Sequence, residues 1–201
     1  TRMPPAEREA MDKVIPLHRP AIVGNEREYV TQVVQRGDLA SDGFFTQHCA
    51  QLLEERLSAG RVLMTPSCTS ALEMAARLCR LGPGDEVIMP SFTYVSAALA
   101  VVGSGARPVF VDIRPDTLNI DEGLIEAAIT DRTRMILPVH YAGVASEMDR
   151  INEIAQRRRL LVVEDAALAI GAKYRSRGLG SLGSLGTLSF HFTKGISCGE
   201  G

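Results

Sequence analysis

The chain has 201 residues, 45% of them hydrophobic and 23% charged, with 18 glycines and 10 prolines. That is enough for one large domain, too apolar for wholesale disorder and too ordinary in glycine and proline for a collagen-like fibre. Twenty-two Lys and Arg against 24 Asp and Glu leave a formal charge of -2, so the chain lacks the bulk positive field that gathers nucleic acid or anionic lipid.

The opening TRMPPAEREAMDKV is too polar for the core of a signal peptide, and no apolar run approaches the ~18 residues needed to span a bilayer. A soluble, cytoplasmic protein is predicted. Residues 1–60 read as an N-terminal helical segment, with helices over 25–36 and 47–58 and, between them, a loop of small and polar residues from Gly37 to Gly43. Residues 61–201 read as an α/β unit. Its apolar runs RVLM (61–64), EVIMP (86–90), PVFVD (108–112), RMILPV (134–139) and LLVVED (160–165) are bounded by turns and separated by helical stretches. A strand covered on both faces reads as a continuous apolar run, so these predict an open, mostly parallel sheet with helices on both faces.

The helices carry their own signals. Thr69 is positioned to cap a helix whose Leu72, Ala75, Ala76 and Cys79 share a face, and Gly82-Pro83-Gly84-Asp85 stops it. Leu124, Ile125, Ala128 and Ile129 form a shorter stripe, and Ser146-Glu147-Met148-Asp149 reads as a capping box before Ile151, Ile154 and Ala155. The run Gly178 to Gly186 has glycine nearly every third residue but lacks the G-K-[ST] ending of a phosphate loop, so it reads as turn punctuation around a short hairpin. The chain then stops soon after TLSFHF without a closing element, which predicts an interrupted protein whose sheet needs a missing half or a partner chain to cover it.

The four cysteines, Cys49, Cys68, Cys79 and Cys198, form no C-x-x-C pair and are predicted to be reduced thiols. His18, His48, His140 and His191 show no paired spacing with acids or cysteines, and no metal site is predicted.

Ligands of open α/β sheets gather at the carboxyl ends of the strands. Four signals fall there. Thr65-Pro66-Ser67-Cys68-Thr69-Ser70 sets small hydroxyl residues at a helix start, suited to a phosphate, although N-capping is the commoner use of such residues. Tyr94 lies just beyond a strand end, where an aromatic can stack on a planar ring or simply pack. Glu164-Asp165 follows buried apolar residues, and a carboxylate there needs a partner, either a cationic ligand nitrogen or an arginine. Ser189, His191 and Lys194 bring a hydroxyl, an imidazole and an amine to one strand exit; a lone lysine is most often solvated. A phosphate cup, a stacking ring, an acid and an amine on one edge match the needs of pyridoxal phosphate.

The motifs TPSCTSALEMAA, GDEVIMPSFTYVS, VFVDIRPDTLNIDEGLIEAAIT, PVHYAGVASEMD, VVEDAA and SFHFTK together resemble the DegT and StrS sugar-nucleotide aminotransferases, which share the large domain of fold type I pyridoxal phosphate enzymes. The likeness runs from about residue 15 to the end, covers roughly the first half of a family chain, and is greatest to the branch that aminates TDP-4-keto-6-deoxyglucose. The resemblance implies that Lys194 bonds the cofactor, Asp165 meets its ring nitrogen, Tyr94 stacks on the ring, and Thr69, Ser70 and Ser189 hold the phosphate. It further implies a nucleotide-linked keto sugar as acceptor, glutamate or glutamine as donor, a homodimer, and inactivity of the 201-residue stretch alone. Two positions depart from the family pattern. Leu168 stands where a glutamine is usual, and Gly195 follows the lysine where asparagine is usual. The alternative from another class is a non-catalytic relic or regulatory module that binds the cofactor or a sugar nucleotide.

Overall fold

The computed structural model describes residues 18–19, 22–37, 39–198 and 201. Two helices come first, α1 (Glu26–Arg36) and α2 (Phe44–Leu57), close to the predicted spans. Then follow α3 (Cys68–Leu78), β1 (Glu86–Pro90), α4 (Val95–Gly103), β2 (Arg107–Val111), α5 (Glu122–Ala128), β3 (Thr133–Ile136), α6 (Met148–Arg158) and β4 (Leu161–Asp165). A hairpin, β5 (Lys173–Tyr174) with β6 (Arg177–Gly178), leads to β7 (Leu185–Thr187).

Five strands form one parallel sheet in the order β2-β1-β3-β4-β7. Successive side chains of a strand point to opposite faces, and here both faces are covered. Val87, Met89, Met135, Leu137 and Val163 pack on one side with Leu72, Ala75 and Ala76 of α3 and Ala97, Ala100 and Val101 of α4. Ile88, Ile136 and Val162 pack on the other with Ile125 of α5 and Ile151, Ile154 and Ala155 of α6. Each fully buried side chain of this kind contributes ~1.5–3 kcal/mol relative to exposure, which is why the strands read as unbroken apolar runs.

At the amino end of β1, Glu86 is 1% exposed. Its carboxylate accepts from Thr130 Oγ1 at 2.6 Å, Arg107 Nη2 at 2.6 Å and Arg132 Nε at 2.9 Å, tying β1 to β2 and to the turn before β3. Those three donors, the Thr130 hydroxyl first, lower its pKa to about 2.

Three local expectations change. Residues 61–64 are not a strand. The Val62 N–H donates to the Glu54 carboxylate at 2.9 Å, and a groove of about 430 Å³ separates this segment from β7, so no ladder partner reaches it. The α3 cap is Ser67, two residues before Thr69: its hydroxyl accepts the Ser70 N–H at 3.1 Å. Ser146 does not cap α6, which starts after Glu147 with no side-chain cap bond. Ser146 is buried instead, donating its hydroxyl to the Val139 carbonyl at 3.1 Å and its N–H to His140 Nδ1 at 3.1 Å.

The glycine run does build turns, and the reason for glycine is close approach. A Cβ at Gly183 would stand 2.7 Å from the Val162 carbonyl oxygen, and one at Gly186 would collide with the Gly180 carbonyl. All four cysteines are unbridged. Among the described residues no helix is long and apolar enough to cross a membrane.

Candidate active site

A cavity of about 680 Å³ lies at the carboxyl ends of β1, β3 and β4, beside the first turns of α3 and α4. Thr69, Tyr94, Asp165, Leu168, Ser189 and Lys194 all line it. Residues separated by as many as 125 positions are thus brought to one wall by the parallel sheet, which stacks every strand exit on the same edge.

At the α3 side, the helix start offers open donors. Ser67 Oγ takes the Ser70 N–H and the Ser67 carbonyl takes the Ala71 N–H at 3.0 Å. The Cys68 and Thr69 amides have no hydrogen-bond acceptor among the described residues, and both residues line the cavity. Unpaired first-turn amides at the positive end of a helix are suited to an anion. Ser70 is turned away: its hydroxyl meets Ser67 Oγ at 3.1 Å. The Cys68 thiol is pushed up to about 12 by burial and by the nearby Asp165 charge, against smaller opposite effects of Thr187 and Lys194.

Asp165, the last residue of β4, is 4% exposed. Its backbone is held on both sides, its N–H donating to the Pro138 carbonyl at 2.9 Å and its carbonyl accepting the His140 N–H at 3.0 Å. Its carboxylate has one hydrogen bond among the described residues, from the Ala167 N–H at 3.1 Å. Burial therefore pushes the carboxyl above the ordinary aspartate range, with the Ala167 N–H and the Lys194 charge pulling the other way. A buried acid so sparsely partnered is suited to a cationic ligand atom.

Lys194 sits in the irregular segment after β7, its N–H donating to the His191 carbonyl at 2.9 Å. His191 Nδ1 meets Thr193 Oγ1 at 2.9 Å, and Ser189 Oγ accepts the His191 N–H at 3.4 Å. On the rim, Tyr94 is 76% exposed, while Phe92 packs edge-on against Tyr141 with centroids 5.0 Å apart. Leu168, 44% exposed, supplies an apolar wall.

The sequence model of the DegT/DnrJ/EryC1/StrS aminotransferase family matches residues 20–201. The chain belongs to that family. It is 43% identical over 182 residues to GDP-perosamine synthase of Caulobacter vibrioides, an alignment covering 90% of this chain and 49% of that protein. Among solved structures, a Streptococcus pneumoniae protein assigned as a sugar aminotransferase, in its PLP form, superposes with a TM-score of 0.88 at 31% identity, covering 92% of this chain and 51% of its own. DesI, solved in the presence of its TDP-sugar product, gives a TM-score of 0.87 at 30% identity, covering 92% and 47%. The chain thus spans about half the length of the relatives it matches. The fold is the large-domain fold of the type I pyridoxal phosphate enzymes, and pyridoxal phosphate is the family's cofactor.

The residues present fit that cofactor: a lysine, a buried acid short of partners and two open amides share one cavity of adequate size. Ser67 and Cys68 lay within the Thr65–Ser70 string without being singled out, whereas the lining residues His140 and Tyr141 escaped the sequence reading of candidate site residues. The rule that drew attention to Tyr94 and Asp165 applies equally to His140 and Tyr141, which follow the β3 run directly.

Proposed function

We propose that this chain carries the cofactor-binding part of an aminotransferase that moves an amino group onto a nucleotide-linked keto sugar. The convergence of Lys194, the sparsely bonded Asp165 and the open first turn of α3 on one cavity carries this reading. When bound, pyridoxal phosphate supplies an electrophilic carbonyl and a ring that stores the electron pair released from the amino donor. Lys194 would hold the cofactor through Nζ and would move a proton at that atom. Asp165 holds the positive charge at the ring nitrogen, and that charge offsets the burial that acts against the Asp165 carboxylate. Thr69 and Ser189 bind the phosphate with the Cys68 and Thr69 amides, and Ser70 contributes through the Ser67 cap that shapes the turn. Tyr94 and Leu168 flank the ring.

The acceptor on this reading is TDP-4-keto-6-deoxyglucose, with glutamate or glutamine as donor; the likeness to DesI, solved with its TDP-sugar product, supports the TDP-linked part of it. A GDP-linked keto sugar is the second reading, favoured by the 43% identity to GDP-perosamine synthase. The protein works in the cytoplasm as a homodimer, a state supported by the exposed apolar stripe Val95, Leu99 and Val102 on α4, next to the rim residue Tyr94. Borohydride reduction of the loaded full-length protein, followed by peptide mapping, is expected to fix the cofactor mass on Lys194. Recovery on another lysine, or none, overturns the assignment. Parallel assays with TDP-linked and GDP-linked keto sugars decide between the acceptors.

A further inference from the structure

Glu164 is the residue before Asp165 on β4, so its side chain points to the opposite face of the sheet. It is fully buried, and its carboxylate takes four donors where that of Asp165 takes one. Oε2 accepts from His140 Nε2 at 2.8 Å and from the Gly180 N–H at 2.9 Å; Oε1 accepts from the Leu182 and Gly183 N–H groups, each at 2.6 Å. His140 is itself 0% exposed on its side chain, and the Ser146 N–H donates to its Nδ1. Nδ1 is therefore the acceptor and Nε2 carries the proton, giving a neutral imidazole against an anionic carboxylate. Burial acts against that anion, but the bonds from His140, Gly183 and Gly180 outweigh it and leave the carboxyl below the ordinary glutamate range.

This carboxylate joins β4 to the β3 exit, which lines the cavity, and to the 180–183 turn, which precedes the segment carrying Ser189 and Lys194. The β3 exit brings His140, a residue of the cavity wall whose ring bonds Glu164 and whose backbone N–H bonds the Asp165 carbonyl. The 180–183 turn leads straight into β7, where the Thr187 hydroxyl donates to the Glu164 carbonyl at 3.3 Å and the Thr187 carbonyl accepts the Ala166 N–H at 2.9 Å. From β7 the chain runs on to Ser189 and Lys194. We propose that Glu164 and His140 are positioning residues, a buried anion and a neutral imidazole that together set the Asp165 carboxylate and the β7 exit in the register a bound cofactor requires. The glycine run thus grips an anion of its own chain, which is why it needs no phosphate. This inference rests on the reading of Asp165 and Lys194 given above.

Glu164→Gln in the full-length protein keeps the shape but turns an amide N–H₂ towards donors that need an acceptor. It is expected to weaken the dissociation constant for pyridoxal phosphate about tenfold or more and to displace the absorption maximum of the bound cofactor. Val162→Ala, on the same strand but packed in the α5–α6 core, controls for lost stability: at a matched melting temperature its absorption maximum is expected to stay at the wild-type value. His140→Leu is expected to act like Glu164→Gln, whereas His140→Gln, with one donor and one acceptor, recovers most of the affinity and the spectrum. This pair decides the matter if Glu164→Gln does not fold. Wild-type affinity and spectrum in Glu164→Gln or His140→Leu would overturn the proposal, as would an equal spectral displacement in Val162→Ala. Wild-type protein that takes up no pyridoxal phosphate would overturn the underlying reading, and the positioning role with it.

Discussion

Replacing Asp165 by Asn separates what this residue does for the fold from what it does for a ligand. The Asp165 carboxylate is 4% exposed and has one donor, the Ala167 N–H at 3.1 Å, against roughly four lone-pair sites available to a carboxylate. Asn keeps the oxygen that accepts from Ala167 and removes a buried charge. With the cofactor stripped, Asp165→Asn is expected to stabilise the protein at neutral pH by about 1–2 kcal/mol, the scale of a buried group left short of partners. For a chain of this size that raises the melting temperature by about 2–8 °C.

The pH dependence carries a definite sign. The unfolded carboxyl loses its proton near its ordinary value of 3.8, whereas burial makes the folded one hold its proton to higher pH. Between the two values the folded state binds more protons, so wild-type stability relative to Asp165→Asn declines as pH rises through that window and is level above it. On the role proposed for Asp165 the order is expected to reverse with cofactor present, because the cationic ring nitrogen would lose its counter-charge in the variant. Thermal melts of both proteins, with and without pyridoxal phosphate, from pH 4 upwards, test each arm. A stripped Asp165→Asn protein less stable than wild type across the whole range would show that the carboxylate is already satisfied in the fold, and would refute the argument.

Other consequences follow from the same geometry. Glu86→Gln is expected to flatten the acid limb of unfolding: the lowered folded pKa means that the Glu86 contribution is complete above the unfolded value of 4.5 and is lost as pH falls towards about 2, which acid titration by circular dichroism reads directly. Cys68, pushed up to about 12, is expected to resist iodoacetamide at pH 8 while the exposed Cys49 and Cys198 are alkylated, as mass spectrometry of timed samples would show. Gly186→Ala drives a methyl into the Gly180 carbonyl and is expected to cost about 2–3 kcal/mol in a denaturant melt.

The doubly covered sheet was legible in the sequence because burial on both faces leaves a local mark. Val87, Ile88 and Met89 are all apolar since each meets a helix on its own side. Asp165 was legible for a related reason, a carboxylate appearing at once after such a run. Thr69 and Ser146 were misjudged as caps because a hydroxyl near a helix start satisfies the capping pattern wherever it points; Ser67 caps α3, and Ser146 was claimed by Val139 and His140, partners defined by where the β3 exit passes.

Residues 61–64 show the limit most directly. RVLM has the composition of a strand, yet a strand exists only by pairing, and the partner edge is a matter of which distant segment arrives beside it. The same holds at Glu164. Its place beside Asp165 is plain in the chain, but its four donors come from residues 140, 180, 182 and 183, and only the folded sheet sets them around one carboxylate. Apolar periodicity records which face of an element is buried, a property of neighbours a few residues apart. Hydrogen-bond partnership across tens of residues depends on chain paths that no local pattern encodes, so the tertiary structure alone decided which of two adjacent acids was satisfied and which was left open to a ligand.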